Sequence, residues 1–219
     1  MAHPLGNFSV NQYTRLEVEK NRINLRAVLD LAEIPTFQAS QTIDTNQNGS
    51  LETKELNAYA EKLTPDYVNN LSLSVNNQPV ELRQTGKNIS LSIGSGNLPT
   101  LRIEWDLIGD VPQTAETNRV QFENRNYKER IGWNEIVINR GRGISVFDST
   151  AFGSSVTDEL KSYPQESINA PLAERKAEFS FTSDTISANA KLLQNRDGHL
   201  STPLEKDKFA QLIAVPEIT

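Results

Sequence analysis

The chain of 219 residues carries 22 Lys and Arg against 28 Asp and Glu, and this net charge of −6 is the wrong sign for a binder of nucleic acid or anionic membranes. With no cysteine and only two histidines, His3 and His199, it has no disulfide scaffold, no thiolate metal site and little material for a conventional general base. No apolar run approaches the roughly 20 residues that cross a bilayer, Ala210 to Val215 being the longest candidate near the end.

Met1-Ala2-His3-Pro4-Leu5 leads straight into a strand-like stretch, the pattern of a mature secreted N-terminus whose signal peptide ended in alanine; a native cytosolic start would read the same. Phe8 to Val18 and Arg22 to Leu31 read as two strands joined at Lys20 and Asn21, because Ile23, Leu25, Ala27 and Leu29 alternate with polar neighbours. From Ala32 to about Asn69 the pattern becomes helix, polar loop, helix. Strand signals return at Leu71 to Val75, Val80 to Leu82, Ile89 to Ile93 and Leu101 to Trp105, with turn chemistry in Asn76-Asn77-Gln78-Pro79. Further strands are predicted at Arg119 to Glu123, Glu135 to Asn139 and Ile144 to Asp148, and the last strand signal is Phe179-Ser180-Phe181.

Many short strands at this spacing predict a mainly β, antiparallel sandwich-like domain over residues 3–182, with the helix-loop-helix inserted at 32–69. Residues 183–219 read as a linker with one amphipathic turn, Phe209, Leu212 and Ile213 sharing a helical face.

One motif carries strong chemistry. Asp44 to Glu55 matches every constrained position of the EF-hand pattern D-x-[DN]-x-[DN]-G-x5-E. Asp44, Asn46 and Asn48 offer side-chain oxygens from alternate positions, Gly49 permits the sharp turn, and Ser50 supplies a backbone carbonyl. Glu52 acts directly or through water, Glu55 closes the set with both carboxylate oxygens, and Leu51 points inward as the apolar anchor. Two asparagines keep the ligand charge low, which predicts a structural Ca²⁺ held at roughly 10⁻⁴ to 10⁻³ M. Asn195 to Leu200 imitates the middle of such a loop, but Leu193 and Leu204 occupy its ligand ends and a plain turn is expected.

Other signals are weaker. His3 beside a free terminal amine forms a nitrogen pair suited to nickel or copper, whereas a frayed terminus leaves it idle. With Met1 retained, Met1-Ala2-His3 itself puts an amine two residues ahead of a histidine. Gly94-Ser95-Gly96 and Gly141-Arg142-Gly143 lack the lysine and βαβ setting of phosphate loops and read as turns. The basic residues Arg119, Arg125, Lys128, Arg130, Arg140 and Arg142 are interleaved with acids and read as a solvated face. Asp197, His199 and Ser201 crowd one polar turn, and Asp30 with Glu33 is the nearest carboxylate pair; the chain is read as a non-enzyme.

His3 to Asn11, Val28 to Phe37, Leu98 to Arg102, Asn124 to Ile136 and Lys208 to Ile213 together resemble the extracytoplasmic N-terminal domain of membrane proteins in the nickel/cobalt transporter (NicO-type) family. The resemblance spans essentially the whole chain and implies that the last stretch precedes a transmembrane segment. The arrangement is also similar to small periplasmic proteins encoded with metal exporters, which begin His-Pro-His and carry an EF-hand-like loop, with Leu5 here in place of the second histidine. These resemblances imply a periplasmic, membrane-attached accessory domain whose partners are metal ions and its own transporter domain, with Ca²⁺ in the loop and Ni²⁺ or Co²⁺ as cargo. The competing expectation is a calcium-stabilised interaction domain with no part in transition-metal handling.

Overall fold

The computed structural model describes residues 5–111, 115–164 and 171–203. His3 and the amphipathic turn at Phe209, Leu212 and Ile213 lie outside the described residues, as does the rest of 204–219.

Two sheets of five strands form the sandwich. In chain order the elements are β1 (Val10–Val18), β2 (Arg22–Leu31), α1 (Glu33–Ile43), α2 (Thr53–Asn69), β3 (Leu71–Val75), β4 (Gln78–Pro79), β5 (Leu82–Ile93), β6 (Pro99–Asp110), β7 (Asn118–Asn124), β8 (Asn134–Arg140), β9 (Ser145–Phe147) and β10 (Lys176–Thr182). The first sheet runs β5-β6-β2-β1-β8 and the second β4-β3-β7-β10-β9. The expected mainly β, antiparallel-rich sandwich with an inserted helix pair is what the chain adopts. One pairing departs from strict antiparallelism: β8 runs parallel to β1, with Gln12 opposite Asn134 and Val18 opposite Arg140.

Alternation along the strands builds the core. Ile23, Leu25, Ala27 and Leu29 of β2 and Leu101, Ile103, Trp105 and Leu107 of β6 are fully or almost fully buried on one face, together with Leu73, Val120, Phe122, Phe179 and Phe181 of the second sheet. Apolar burial of this kind is the main stabilising term. A second cluster, Tyr13, Val28, Trp133, Val137 and Leu160, occupies the opposite face of the first sheet, where residues 156–163 lie over it. Gly132 begins that region because a Cβ there would collide with the Val10 carbonyl.

Several boundaries differ from the sequence-based expectation. The Asn76-Asn77 turn is a two-residue hairpin with φ of 51° and 63°, the left-handed pair that asparagine tolerates best after glycine. Val80 to Leu82, predicted as a strand, is where the chain leaves β4 in one sheet and enters β5 in the other, with the Val80 amide still donating to Leu73 O at 2.9 Å. The signals at Ile89 to Ile93 and Leu101 to Trp105 extend into 12-residue strands that include polar residues, since these pair with each other and need not be buried on both faces. α2 runs through Pro65 and ends at Asn69, where the helix-loop-helix was expected to end.

The segment read as a linker behaves as part of the domain up to residue 203. Leu193 is buried and its amide donates to Val146 O at 2.9 Å, and Arg196 forms a paired contact with Glu174 at 2.9 and 2.8 Å while stacking over Phe152. Its polar composition hid this docking because the anchors are single residues separated by turns.

The helix pair is fastened to the first sheet through Trp105, whose indole stacks on Tyr67 at 4.0 Å between ring centroids and donates to Thr64 Oγ1 at 2.9 Å. Thr64→Val keeps the volume but leaves the buried indole N–H without an acceptor, so it should cost about 1–3 kcal/mol, read from urea unfolding. Loss of the Trp105 near-ultraviolet signal at lower urea than the far-ultraviolet signal would show that the helix pair detaches first.

Candidate metal centre

α1 and α2 present the Asp44 to Glu55 stretch as a tight loop at the end of the helix pair. Its polar side chains fold the backbone. Asp44 Oδ1 accepts from the Asn48 amide at 3.1 Å and Oδ2 from the Gly49 amide at 2.8 Å. Asn46 Oδ1 accepts from the Asn48 amide at 2.9 Å and Asn48 Oδ1 from the Ser50 amide at 2.8 Å, while Asn48 Nδ2 donates to Glu52 Oε1 at 3.0 Å. Gly49 has φ of 78°, the left-handed turn its position demands, and Gln47 shares that region at 58°.

Glu55 is the hinge of the arrangement and is 7% exposed. Its Oε1 accepts from the Thr45 amide and hydroxyl, both at 2.9 Å, and from the Asn46 amide at 3.3 Å; Oε2 accepts from the Glu52 amide at 3.2 Å. Glu52 and Glu55 also form a reciprocal capping box at the start of α2. Burial pushes the Glu55 carboxyl up, but the hydrogen bonds from Glu52, Thr45 and Asn46 outweigh it and hold the pKa below the usual value. Leu51 packs against the main core beside buried Ile43 and Leu56, as the inward anchor should.

All six predicted ligands, Asp44, Asn46, Asn48, Ser50, Glu52 and Glu55, therefore share one loop, and their donors are hard oxygens that suit Ca²⁺ and not a nitrogen- or sulfur-seeking metal. The Asp44, Asn46 and Asn48 oxygens each accept one loop amide and retain a second lone pair, whereas Glu55 Oε1 already accepts from three donors that a bound ion would have to displace. Among the described residues no three or more Asp, Glu or His side chains are gathered closely enough to form a metal group by themselves. Amide oxygens and the Ser50 carbonyl are thus needed to complete a ligand set. Thr45, which the motif leaves unconstrained, is the residue the sequence reading passed over; its hydroxyl orients Glu55.

The other candidate groups lie elsewhere in the fold. Asp30 lies opposite Asn11 and Arg102 in the strand ladder, whereas Glu33, fully buried at the start of α1, turns to the Ser95 amide at 2.6 Å. Asp197 Oδ1 accepts from the His199 amide at 2.9 Å in an exposed turn, and Ser201 is buried against Gly153. A buried acid that no motif flagged, Glu135, accepts from Val156 N, Thr157 Oγ1 and Trp133 Nε1 and fastens the cover over the second cluster.

No family model matches this chain, and no curated protein matches it.

Because the folded Glu55 pKa is depressed, its contribution to stability is present above the ordinary glutamate pKa and is lost as pH falls through the lower folded value. The Thr45 and Asn46 amide shifts, followed by NMR from neutral pH downward, should therefore titrate below the usual range of about pH 4. In Glu55→Gln both profiles should be flat. A transition near pH 4 or above in the wild-type chain would contradict the hydrogen-bond assignment.

Proposed function

We propose that this chain is an extracytoplasmic calcium-binding accessory domain of a divalent-metal membrane transporter of the nickel/cobalt type. The observation that carries the calcium part is the loop: six oxygen-bearing positions in the order the ion requires, wound by Asp44, Asn46 and Asn48 and closed by Glu55 between two helices. Asp44, Asn46, Asn48, Glu52 and Glu55 would hold the ion through side chains and Ser50 through its carbonyl. A bound Ca²⁺ would supply positive charge to the loop that carries Asp44, Glu52 and Glu55 and would tie α1 to α2. The transporter part is supported by the resemblance of His3 to Asn11, Val28 to Phe37 and Asn124 to Ile136 to NicO-type extracytoplasmic domains. Transition-metal handling through His3 is the functional extension of that reading.

A second reading is a calcium-stabilised interaction domain without nickel or cobalt binding. It is favoured by one feature: α2 carries Glu55 at one end and the Trp105 clamp at the other, so that ion binding acts on the fold itself.

Calorimetric titration of the chelator-treated chain beginning at His3, with Ca²⁺, Mg²⁺, Ni²⁺ and Co²⁺, tests both. Calcium should bind at roughly 10⁻⁴ to 10⁻³ M and weaken by about tenfold or more in Glu55→Gln. Nickel or cobalt heat that survives Glu55→Gln and vanishes in His3→Ala supports the delivery role, and its absence leaves the interaction domain. No calcium heat overturns the loop assignment.

A further inference from the structure

β5 forms one margin of the first sheet and is 12 residues long, with every residue exposed or half-exposed. The opposite margin, β8, is bridged by Phe152 and Ala173, and β9 at the end of the second sheet by Leu192. Among the described residues no backbone bridge covers the outer side of β5. A strand in that position presents a row of unpaired amides and carbonyls, which proteins ordinarily blunt with charges, bulges or proline. The first half of β5 is blunted in this way: exposed Arg83 lies along it and a bulge falls between Gln84 and Gly86, while Lys87 turns to Glu61 of α2. Asn88 to Ile93 has no charge, no bulge and no proline.

The direction of its free groups follows from the neighbouring strand. The Leu101 amide donates to Thr36 Oγ1, which itself donates to Leu31 O, so Leu101 turns its backbone groups toward β2. Leu91, paired with Leu101, therefore turns its own N–H and C=O outward, and Ile89 and Ile93 do the same by alternation. Ile93 is 72% exposed.

The sequence of this margin is self-complementary. Ile89-Ser90-Leu91-Ser92-Ile93 reads identically in both directions. An antiparallel pairing with a second copy, related by a two-fold axis at Leu91, sets Leu91 against Leu91, Ile89 against Ile93 and Ser90 against Ser92. Each outward-facing residue then exchanges hydrogen bonds with another of the same kind. The bulge selects the same register: centred on Leu91 the pairing stays within the regular stretch, whereas sliding toward the first half of β5 runs it into the irregularity between Gln84 and Gly86. We infer that this chain forms a two-fold dimer by antiparallel pairing of Ile89–Ile93 with the same segment of a second copy, joining two five-stranded sheets into one. The inference rests on neither the calcium loop nor the transporter assignment. So short a contact lies at the small end of specific interfaces, and the dimer dissociates on dilution.

The absence of cysteine from the 219 residues makes the register readable. A mixture of Ser90→Cys and Ser92→Cys chains should give a disulfide-linked heterodimer under mild oxidation, because these positions form a close, non-hydrogen-bonded pair. Either variant alone should cross-link at least about tenfold more slowly. Sedimentation velocity of the wild-type chain should show a monomer–dimer equilibrium, and Ile93→Lys, at an exposed position that leaves the fold intact by circular dichroism, should shift it at least about tenfold toward monomer. A monomer at every concentration overturns the inference. So does a dimer indifferent to Ile93→Lys, or self-linking of Ser90→Cys as fast as the mixture.

Discussion

A buried knot of amides holds the parts of this molecule together. Gln12 of β1 donates to Asn126 O at 3.0 Å and to Asn134 Oδ1 of β8 at 3.1 Å, and accepts from Asn124 Nδ2 of β7 at 3.1 Å. Asn126 Nδ2 in turn donates to Tyr67 O near the end of α2 at 2.9 Å. First sheet, second sheet and helix pair thus meet in one satisfied network, with Arg175 closing it from outside through Asn126 O and Tyr127 O. In a low-dielectric interior such a network is strong when complete, and about 1–3 kcal/mol is lost when one member leaves its partner unpaired. Apolar burial gathers the sheets; this knot fixes how they are aligned.

α2 transmits that alignment to the loop. Glu55 sits at its first turn, Leu56 and Ala60 pack on the core, Thr64 and Tyr67 grip Trp105, and the Tyr67 carbonyl enters the knot. Proline at position 65 is tolerated inside this helix, and the carbonyl of Ala60, one turn before Thr64, is taken by the Thr64 hydroxyl at 2.7 Å. The loop is therefore anchored on a rigid lever and not on a flexible hairpin. An ion held by Asp44 to Glu55 would act on the lever's free end, which fits the proposed calcium role to stabilisation of the domain.

The outer face of the first sheet shows a different solution to burial. Sandwich strands usually turn polar residues outward, yet Tyr13, Val28, Trp133 and Val137 lie there and are covered by a segment in which Asp158, Glu159 and Leu160 all have positive φ. Three successive non-glycine residues in that region carry strain that the surroundings must over-determine. Glu135 does so from below by holding Val156 and Thr157, and Glu159 from the side by its contacts with Arg15 at 2.6 Å and Arg26 at 3.1 Å. Nothing in the letters around Glu135 announces this, since a single acid in a strand looks solvent-facing until its cover is known.

Local periodicity was enough to read the strands of β1, β2, β3, β7 and β8, because alternation reflects a face buried within each strand, and the asparagine-rich hairpin at Asn76-Asn77 was legible for the same local reason. The candidate ion loop was equally legible, its donors lying within one turn of chain and depending on spacing alone. Which sheet each strand joins, the parallel entry of β8 beside β1, the crossing at Val80 to Leu82 and the docking of residues 183–203 were decided only in three dimensions. These depend on partners far apart in sequence, such as Gln12 with Asn124 or Arg196 with Glu174, and on burial that accumulates only after the sheets have met. Even the orientation of Glu55, whose identity the motif specified, waited on the Thr45 and Asn46 amides that the folded loop brings to it.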